Sequence, residues 1–304
     1  MTTTVIIPTY NGAGKILTAL RALEKQIVSP DEVIVVVDGS TDNTVSLLQS
    51  TYFQLRSFRI IRQENLGRGA VKNTGAEHAS HELLLFLDDD MLPEADWLKK
   101  HLQHHEEHPE TIVTGPAVDR AESGDSDFQF FKSYLSARWR ADLLPFNKKA
   151  FPEDKVFITA ANFSIPRKLF RQIGGFNPKL RDVEDFDFAV RATALGIPVY
   201  YDDETWAWHM EQSSCKHSIS RMRSYQQARY ILLNKYPELY RHRIQINRTE
   251  FPEWKRMILS FFKTKWMVHS IDMGRFKWLP QSLRFKLYDI TLTANTHIGS
   301  DPIN

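Results

Sequence analysis

The sequence predicts an α/β protein: a doubly wound, mainly parallel sheet followed by a helical C-terminal extension. Three observations predict it. Apolar runs of strand length recur at Val5-Ile6-Ile7, Val33 to Val37, Ile60-Ile61 and Leu83 to Leu87, as in strands covered on both faces. Strand, turn and helix alternate up to His105, the pattern that builds parallel sheets. Beyond Cys215 the pattern is helical only, with basic and aromatic residues interleaved.

The composition bounds the class. The chain has 304 residues, 25% charged and 42% hydrophobic, ordinary values for a soluble protein with a real core and room for one large domain or two smaller ones. The lone Cys215 excludes an internal disulfide framework and fits a reducing compartment. Met1 to Asn11 lacks the basic start of a secretory signal, and no apolar run is long enough to span a bilayer, so a cytoplasmic location is expected. The net charge of +2 hides an asymmetry: Thr205 to Asn304 carries 16 Lys/Arg against 7 Asp/Glu, and the remainder 23 against 30. A basic back suits anionic lipid or a phosphorylated substrate, or is simply a solvated helical surface. No nucleic-acid-binding module is present, which argues against that partner.

Thr4 to Ile7 forms the first strand, ended by Pro8, which has no N–H for a ladder. Lys15 to Gln26 is a helix with Ile16, Leu17, Leu20 and Leu23 on one face. Gly12-Ala13-Gly14 lacks the third glycine of a dinucleotide fingerprint, and Gly14-Lys15 lacks the Ser or Thr of a P-loop, so neither motif holds. A second strand runs from Glu32 into Asp38-Gly39, and a third over Phe58 to Ile61. Glu64 to Ala76 is a glycine-rich passage into a helix. The strand Leu83 to Leu87 ends in Asp88-Asp89-Asp90, and Pro93 starts a helix over Glu94 to Glu107. His101, His104, His105 and His108 on that helix read as an exposed polar face rather than a metal cluster. Thr111 to Val118 is a broken strand, Phe128 to Leu144 an aromatic helix, and Val156 to Arg167 a strand. Gly174-Gly175 stops a helix over Lys168 to Ile173, and Gly196 one that begins near Glu184. Val199 to Tyr201 is strand-like. Helices are expected over Ile219 to Tyr236 and Phe251 to Met273.

Several of these places carry chemistry. Three adjacent carboxylates repel one another; a divalent cation with oxygen ligands, Mg²⁺ or Mn²⁺, relieves that, and a solvated acidic turn is the competing reading. Asp38 stands where ligands bind in open parallel sheets, and equally suits a turn before glycine. Gly67 and Gly69 allow close backbone approach at a helix start, with Arg68 and Lys72 adding positive charge for an anion. Glu184 and Asp185 stand at a helix N-terminus, which favours ionised acids. His209 is either a ligand or a packed core residue.

In order and spacing, Val5 to Asn11, Val35 to Asp42, Asn65-Leu66-Gly67 through Asn73-Thr74-Gly75, Phe86 to Asp90, Gly174-Gly175-Phe176 and Glu184 to Asp187 resemble the family-2 glycosyltransferases of the GT-A fold. The resemblance covers about the first 210 residues. It implies transfer of a sugar from a nucleotide-sugar donor, by default a UDP-sugar, to an acceptor hydroxyl with inversion. By position, Pro8, Tyr10 and Asp38 would hold the base, and Gly67, Arg68 and Lys72 would line the nucleotide. Asp90 would hold the metal, with Asp88 as a further ligand, and Asp88 or Asp89 would reach the ribose or a metal-bound water. Asp185 would be the general base, with Asp187 the runner-up although it faces away, and Glu184 would bind the nucleotide sugar. His209 would stand near the metal or diphosphate. The resemblance divides the chain into a catalytic domain over 1–212 (a nucleotide-binding half, 1–110, and an acceptor-binding half, 111–212) and a basic, aromatic helical region over 213–304. The acceptor would be a saccharide or a lipid-linked molecule, and the basic, aromatic helices over 216–280 suit either peripheral membrane contact at the inner face or packing on the catalytic domain. A nucleotidyltransferase would need a glycine-rich, arginine-containing loop after the first strand, which Pro8 to Asn11 does not supply. A non-catalytic nucleotide-sugar- or lipid-binding protein on the same fold would not need the Asp triplet and Glu-Asp pair.

Overall fold

A computed structural model describes residues 1–180, 182–241, 243 and 252–296. The chain folds as two units: Met1–Val118 with Trp139–Met210, and Asp119–Arg138 with Glu211–Asn304.

The first unit is built on β1 (Thr3–Thr9), β2 (Glu32–Asp38), β3 (Phe58–Gln63) and β4 (Leu83–Leu87), with α1 (Ile16–Glu24), α2 (Thr44–Ser50) and α3 (Arg68–His78) in the crossovers. These strands lie parallel in the order β3-β2-β1-β4. Every residue of β4 and β2 is buried, as their unbroken apolar runs require. Next along the chain come β5 (Met91–Pro93), α4 (Trp97–Glu107), β6 (Ile112–Thr114), β7 (Ala117–Asp119), α5 (Asp127–Leu143), which belongs to the second unit as far as Arg138, β8 (Lys149–Ala150) and β9 (Asn162–Pro166). The same region ends with α6 (Arg167–Ile173), α7 (Glu184–Ala194), β10 (Val199–Tyr201) and β11 (Ala207–His209). The large sheet continues β4-β9-β6-β10-β8, and β5, β11 and β7 form a small second sheet. β9 runs antiparallel to both β4 and β6, which is why the sheet is mainly and not wholly parallel. Pro93 closes β5, and α4 begins only at Trp97, later than the proline suggests.

One core cluster joins Val5, Ile7, Val33, Val35, Leu83 and Leu85 to α1 and Trp97. On the other side, Phe86 stacks on Phe163 at 4.6 Å and meets Phe176 edge-on, with Phe170 and Phe188 beyond. Asn162 is buried at the centre: its Nδ2 donates to Pro116 O and Thr205 O, and its Oδ1 accepts from Trp97 Nε1 at 2.8 Å.

The histidines of α4 correct the sequence reading. His101, His104 and His105 are buried, not exposed. Trp97, Leu98, His101 and His105 follow helical spacing, so they share the face turned to the sheet. Ser164 Oγ lies 2.8 Å from both His101 Nδ1 and His105 Nε2, and Thr111 Oγ1 lies 3.0 Å from His104 Nε2. Burial pushes the His101 pKa down to about 3 and that of His104 down to about 4. The unfolded chain, with histidines near 6.5, therefore binds more protons, and these groups cost stability as pH falls below that value. Comparing a variant with the parent isolates one histidine from every carboxyl that titrates nearby. The cost of His101→Gln, from urea unfolding, is expected to shrink by about 2 kcal/mol between pH 7 and pH 5. An unchanged cost would contradict a neutral buried imidazole.

The second unit is helical: α8 (Cys215–Lys235), α9 (Pro237–Tyr240), α10 (Glu253–Phe262), α11 (Lys265–Asp272) and α12 (Gln281–Thr296). Its core joins Phe128 and Phe131 of α5 to Ile219, Met267, Ile271, Phe285 and Tyr288. The single helix expected over 251–273 is two, because Thr264 caps α11 by accepting from Met267 N. Phe251 lies outside the described residues. Among the described residues, no helix is long and apolar enough to cross a membrane.

Candidate active site

The Asp triplet follows β4, where Asp88 N donates to Ala161 O of the segment leading into β9 and Met91 N donates back to Asp88 O. The three carboxylates then go to different partners. Asp89 is buried; its Oδ2 accepts from Thr9 Oγ1 at 2.5 Å and its Oδ1 lies 2.8 Å from Lys15 Nζ. Asp90 Oδ2 lies 3.4 Å from the same ammonium, and Asp90 Oδ1 is 3.6 Å from His209 Nε2. Asp88 Oδ1 lies 3.3 Å from Lys72 Nζ. Two lysines thus relieve much of the repulsion that the sequence assigned to a cation. Burial opposes the Lys15 charge but Asp89 and Asp90 outweigh it, so its pKa is raised; burial raises that of Asp89 to about 6.

The second sheet brings His209 here. β11 pairs antiparallel with β5, setting His209 opposite Met91, and Met210 N donates to Asp90 O. Asp90 Oδ1 and His209 Nε2, 3.6 Å apart, could share a metal; Asp88, the other ligand expected from the sequence, faces Lys72. Among the described residues no group of three His, Cys, Asp or Glu forms such a site. Two protein donors fit Mg²⁺ or Mn²⁺, which take the rest of their shell from substrate phosphates and water. Gly12 is required where it stands, because a Cβ there would meet Thr9 Oγ1 at 2.0 Å and Asp89 Oδ2 at 2.7 Å.

Lys72 draws the late part of the unit to the same strand end. It is buried on α3, and its Nζ also lies 3.8 Å from Glu184 Oε1, at the first residue of α7. Burial works against its charge; Asp88 and Glu184 prevail and raise its pKa. Asn73 reinforces the link, donating from Nδ2 to Phe176 O and accepting at Oδ1 from Phe176 N. Arg68 stands 3.6 Å from Asp182. Val183 precedes α7 with a φ of 59°, a left-handed conformation unusual for a β-branched residue, and this turn sets the direction of Glu184 and Asp185. Glu184 is buried, which raises its pKa. Asp185 is half-buried, and its Oδ1 accepts from Phe186 N at 2.7 Å. Asp187 is buried against Arg191, which also donates to Ile173 O and Gly175 O.

Asp38 is buried at the end of β2. Its Oδ1 accepts from Gln63 Nε2 and Leu66 N, and its Oδ2 from Gly67 N at 3.0 Å. It therefore holds the glycine loop, with one acceptor position of Oδ2 left for a donor. Pro8 stands in β1 beside Val36 of β2, and Tyr10, just past β1, is exposed. The structure thus gathers Asp89 and Asp90 around Lys15, sets His209 against Asp90, and gathers Asp88 and Glu184 around Lys72. Sequence reasoning missed Lys15, set aside with the incomplete P-loop. The available signal was a lysine in the loop that follows β1, beside the strand that ends in the acids.

The family model described as Glycosyl transferase family 2 matches residues 4–174. EpsH of Bacillus subtilis (strain 168), which carries a glycosyltransferase name, is 27% identical over 205 residues, 65% of this chain and 57% of its own. The validoxylamine A glucosyltransferase of Streptomyces hygroscopicus subsp. limoneus is 28% identical over 229 residues, 66% of this chain and 50% of its own. The chain thus spans about half the length of these curated relatives. Among solved structures, the mannosyltransferase PcManGT from Pyrobaculum calidifontis, in complex with GDP-Man and Mn²⁺, superposes with a TM-score of 0.58 at 20% identity, covering 99% of this chain and 76% of that one. S. aureus TarS 1–349 in complex with UDP-GlcNAc gives 0.57 at 19%, covering 97% and 90%. These likenesses show a GT-A-type fold. The matched residues 4–174 are more than half of the chain and include the Asp triplet, Lys15 and Lys72, and the protein belongs to glycosyl transferase family 2.

Proposed function

We propose that the protein transfers a sugar from a nucleoside-diphosphate sugar, UDP by the resemblance, to an acceptor hydroxyl with inversion. One observation carries this reading: Lys72 ties the Asp triplet at the end of β4 to the start of α7, so a diphosphate site and a carboxylate pair belong to one assembly. The binding of GDP-Man with Mn²⁺ by PcManGT and of UDP-GlcNAc by TarS supports the donor class.

In this reading Tyr10 and Pro8 flank the base, and the remaining acceptor position of Asp38 takes its imide N–H. Gly67 and Arg68 line the nucleotide. Asp88 reaches the ribose, since both oxygens of Asp89 are engaged by Thr9 and Lys15. Asp89 instead props Lys15 toward the diphosphate. Asp185 accepts the acceptor's proton as its oxygen attacks the anomeric carbon; the bond from that carbon to the β-phosphate oxygen breaks, and the diphosphate leaves with the electron pair. Lys15 and Lys72 offset the developing charge. Asp90 and His209 would hold Mn²⁺ or Mg²⁺, which supplies Lewis-acid stabilisation of the leaving diphosphate when bound. The catalytic part is assigned to 1–212, with 213–304 as a separate basic helical region. The acceptor is a saccharide or lipid-linked molecule met in the cytoplasm.

With two protein donors among the described residues, cation and nucleotide should bind cooperatively. Titration calorimetry is expected to show UDP binding at least about tenfold tighter with Mn²⁺ than without, and Asp90→Ala should abolish that difference. Equal gains in the parent and the variant would remove Asp90 from the metal site.

A further inference from the structure

The second unit presents an apolar helix face to water. On α10, Trp254, Met257, Ile258 and Phe261 recur at i, i+3, i+4 and i+7, within an arc of roughly 100°. Trp254 is 62% exposed, Met257 72% and Phe261 55%. The helix is anchored through its other side: Leu259 is buried, Phe262 packs on the core of this unit, and Asn295 Nδ2 of α12 donates to Phe262 O at 3.0 Å. The face continues onto α11, where Trp266, 55% exposed, lies 6.4 Å from the Phe261 ring, and Met267 and Ile271 fix that helix in the core. Lys255, Arg256, Lys263, Lys265, Arg275 and Lys277 are all exposed on the same stretch of chain. Of its two acids, Glu253 lies 3.8 Å from Arg256, and Asp272 accepts from Cys215 N and Lys216 N and so is turned to the start of α8.

We infer that the α10–α11 face docks on an anionic lipid bilayer. Three features select that occupant. Tryptophans with long apolar neighbours suit the boundary between headgroups and acyl chains. Exposed lysines and arginines next to an apolar stripe complement a negatively charged leaflet. A second copy placed face to face would bring the same cations together, which opposes self-association through this surface. None of these side chains takes part in the proposed transfer chemistry, so docking and transfer can each fail without the other.

Vesicle co-sedimentation of the full chain tests it. The parent chain is expected to bind vesicles of phosphatidylcholine with phosphatidylglycerol, to bind phosphatidylcholine alone far less, and to be released by high salt. The triple variant Trp254→Ser/Met257→Ser/Phe261→Ser should bind the mixed vesicles at least about tenfold less, and Lys263→Glu/Lys265→Glu should weaken binding to a similar degree. Because these side chains are exposed, both variants should melt within a few degrees of the parent, which separates lost docking from lost folding. Binding of the parent to neither vesicle, or equally to both, overturns the inference. So does an oligomer in sedimentation velocity that the triple variant converts to monomer, because a second copy would then cover the face.

Discussion

Asp185→Asn is expected to lower the rate of sugar transfer by about 10²–10⁴-fold while leaving donor affinity and folding in place. The substitution keeps the shape of the side chain and an oxygen to accept from Phe186 N, so the first turn of α7 is preserved. What is lost is the basic oxygen that takes the proton in the proposed reaction. Neighbouring acids serve as controls. Glu184 is buried toward Lys72, and Glu184→Gln should act on stability before it acts on rate. Asp187 is bound by Arg191, whose other donors reach Ile173 O and Gly175 O, so Asp187→Asn should loosen that bracket with a fall in Tm. A steady-state comparison of the three variants checks the assignment. A rate loss in Asp187→Asn larger than in Asp185→Asn would move the base.

Lys72→Met is expected to cost about 3–5 kcal/mol, because removing one partner leaves buried Glu184 without its cation. Asp88 loses the same partner. Glu184 would then keep its proton over a wider range, since burial already raises its pKa against the pull of Lys72. The double variant Lys72→Met/Glu184→Gln should recover at least about 1 kcal/mol, as expected when two residues share one charge contact. Urea unfolding of the parent, both single variants and the double variant measures this coupling. Strict additivity would mean that Lys72 does not hold α7 to the end of β4.

The sheet was legible because its physics is local. Strands covered on both faces must be apolar throughout, and Val33 to Val37 and Leu83 to Leu87 have few other uses. The acids at their C-terminal ends were legible for the same reason, since charge stops such a run. Partners supplied from far along the chain were not. Lys15 and Lys72 reach the Asp triplet only because β1 and β4 are neighbours and α3 packs beside them, so the acids read as needing a cation when two ammonium groups were already within reach. The antiparallel insertion of β9 between β4 and β6 is likewise a matter of pairing and leaves no mark in its own five residues. The buried histidines of α4 misled because residue type was weighed above spacing: Trp97, Leu98, His101 and His105 follow the helical period of a buried face. Val183 gave no signal, since nothing in its neighbours announces a left-handed backbone.

Release of nucleoside diphosphate tests most directly whether the protein is a metal-assisted transferase acting on a nucleoside-diphosphate sugar. The full chain would be incubated with a panel of UDP- and GDP-sugars, with Mn²⁺ or after chelation, beside Asp90→Ala and Asp185→Asn. Turnover of one donor class by the parent chain is expected, dependent on the cation, with both variants reduced by at least about tenfold. Turnover that persists unchanged in Asp90→Ala, or that chelation leaves untouched, would contradict metal assistance at this site.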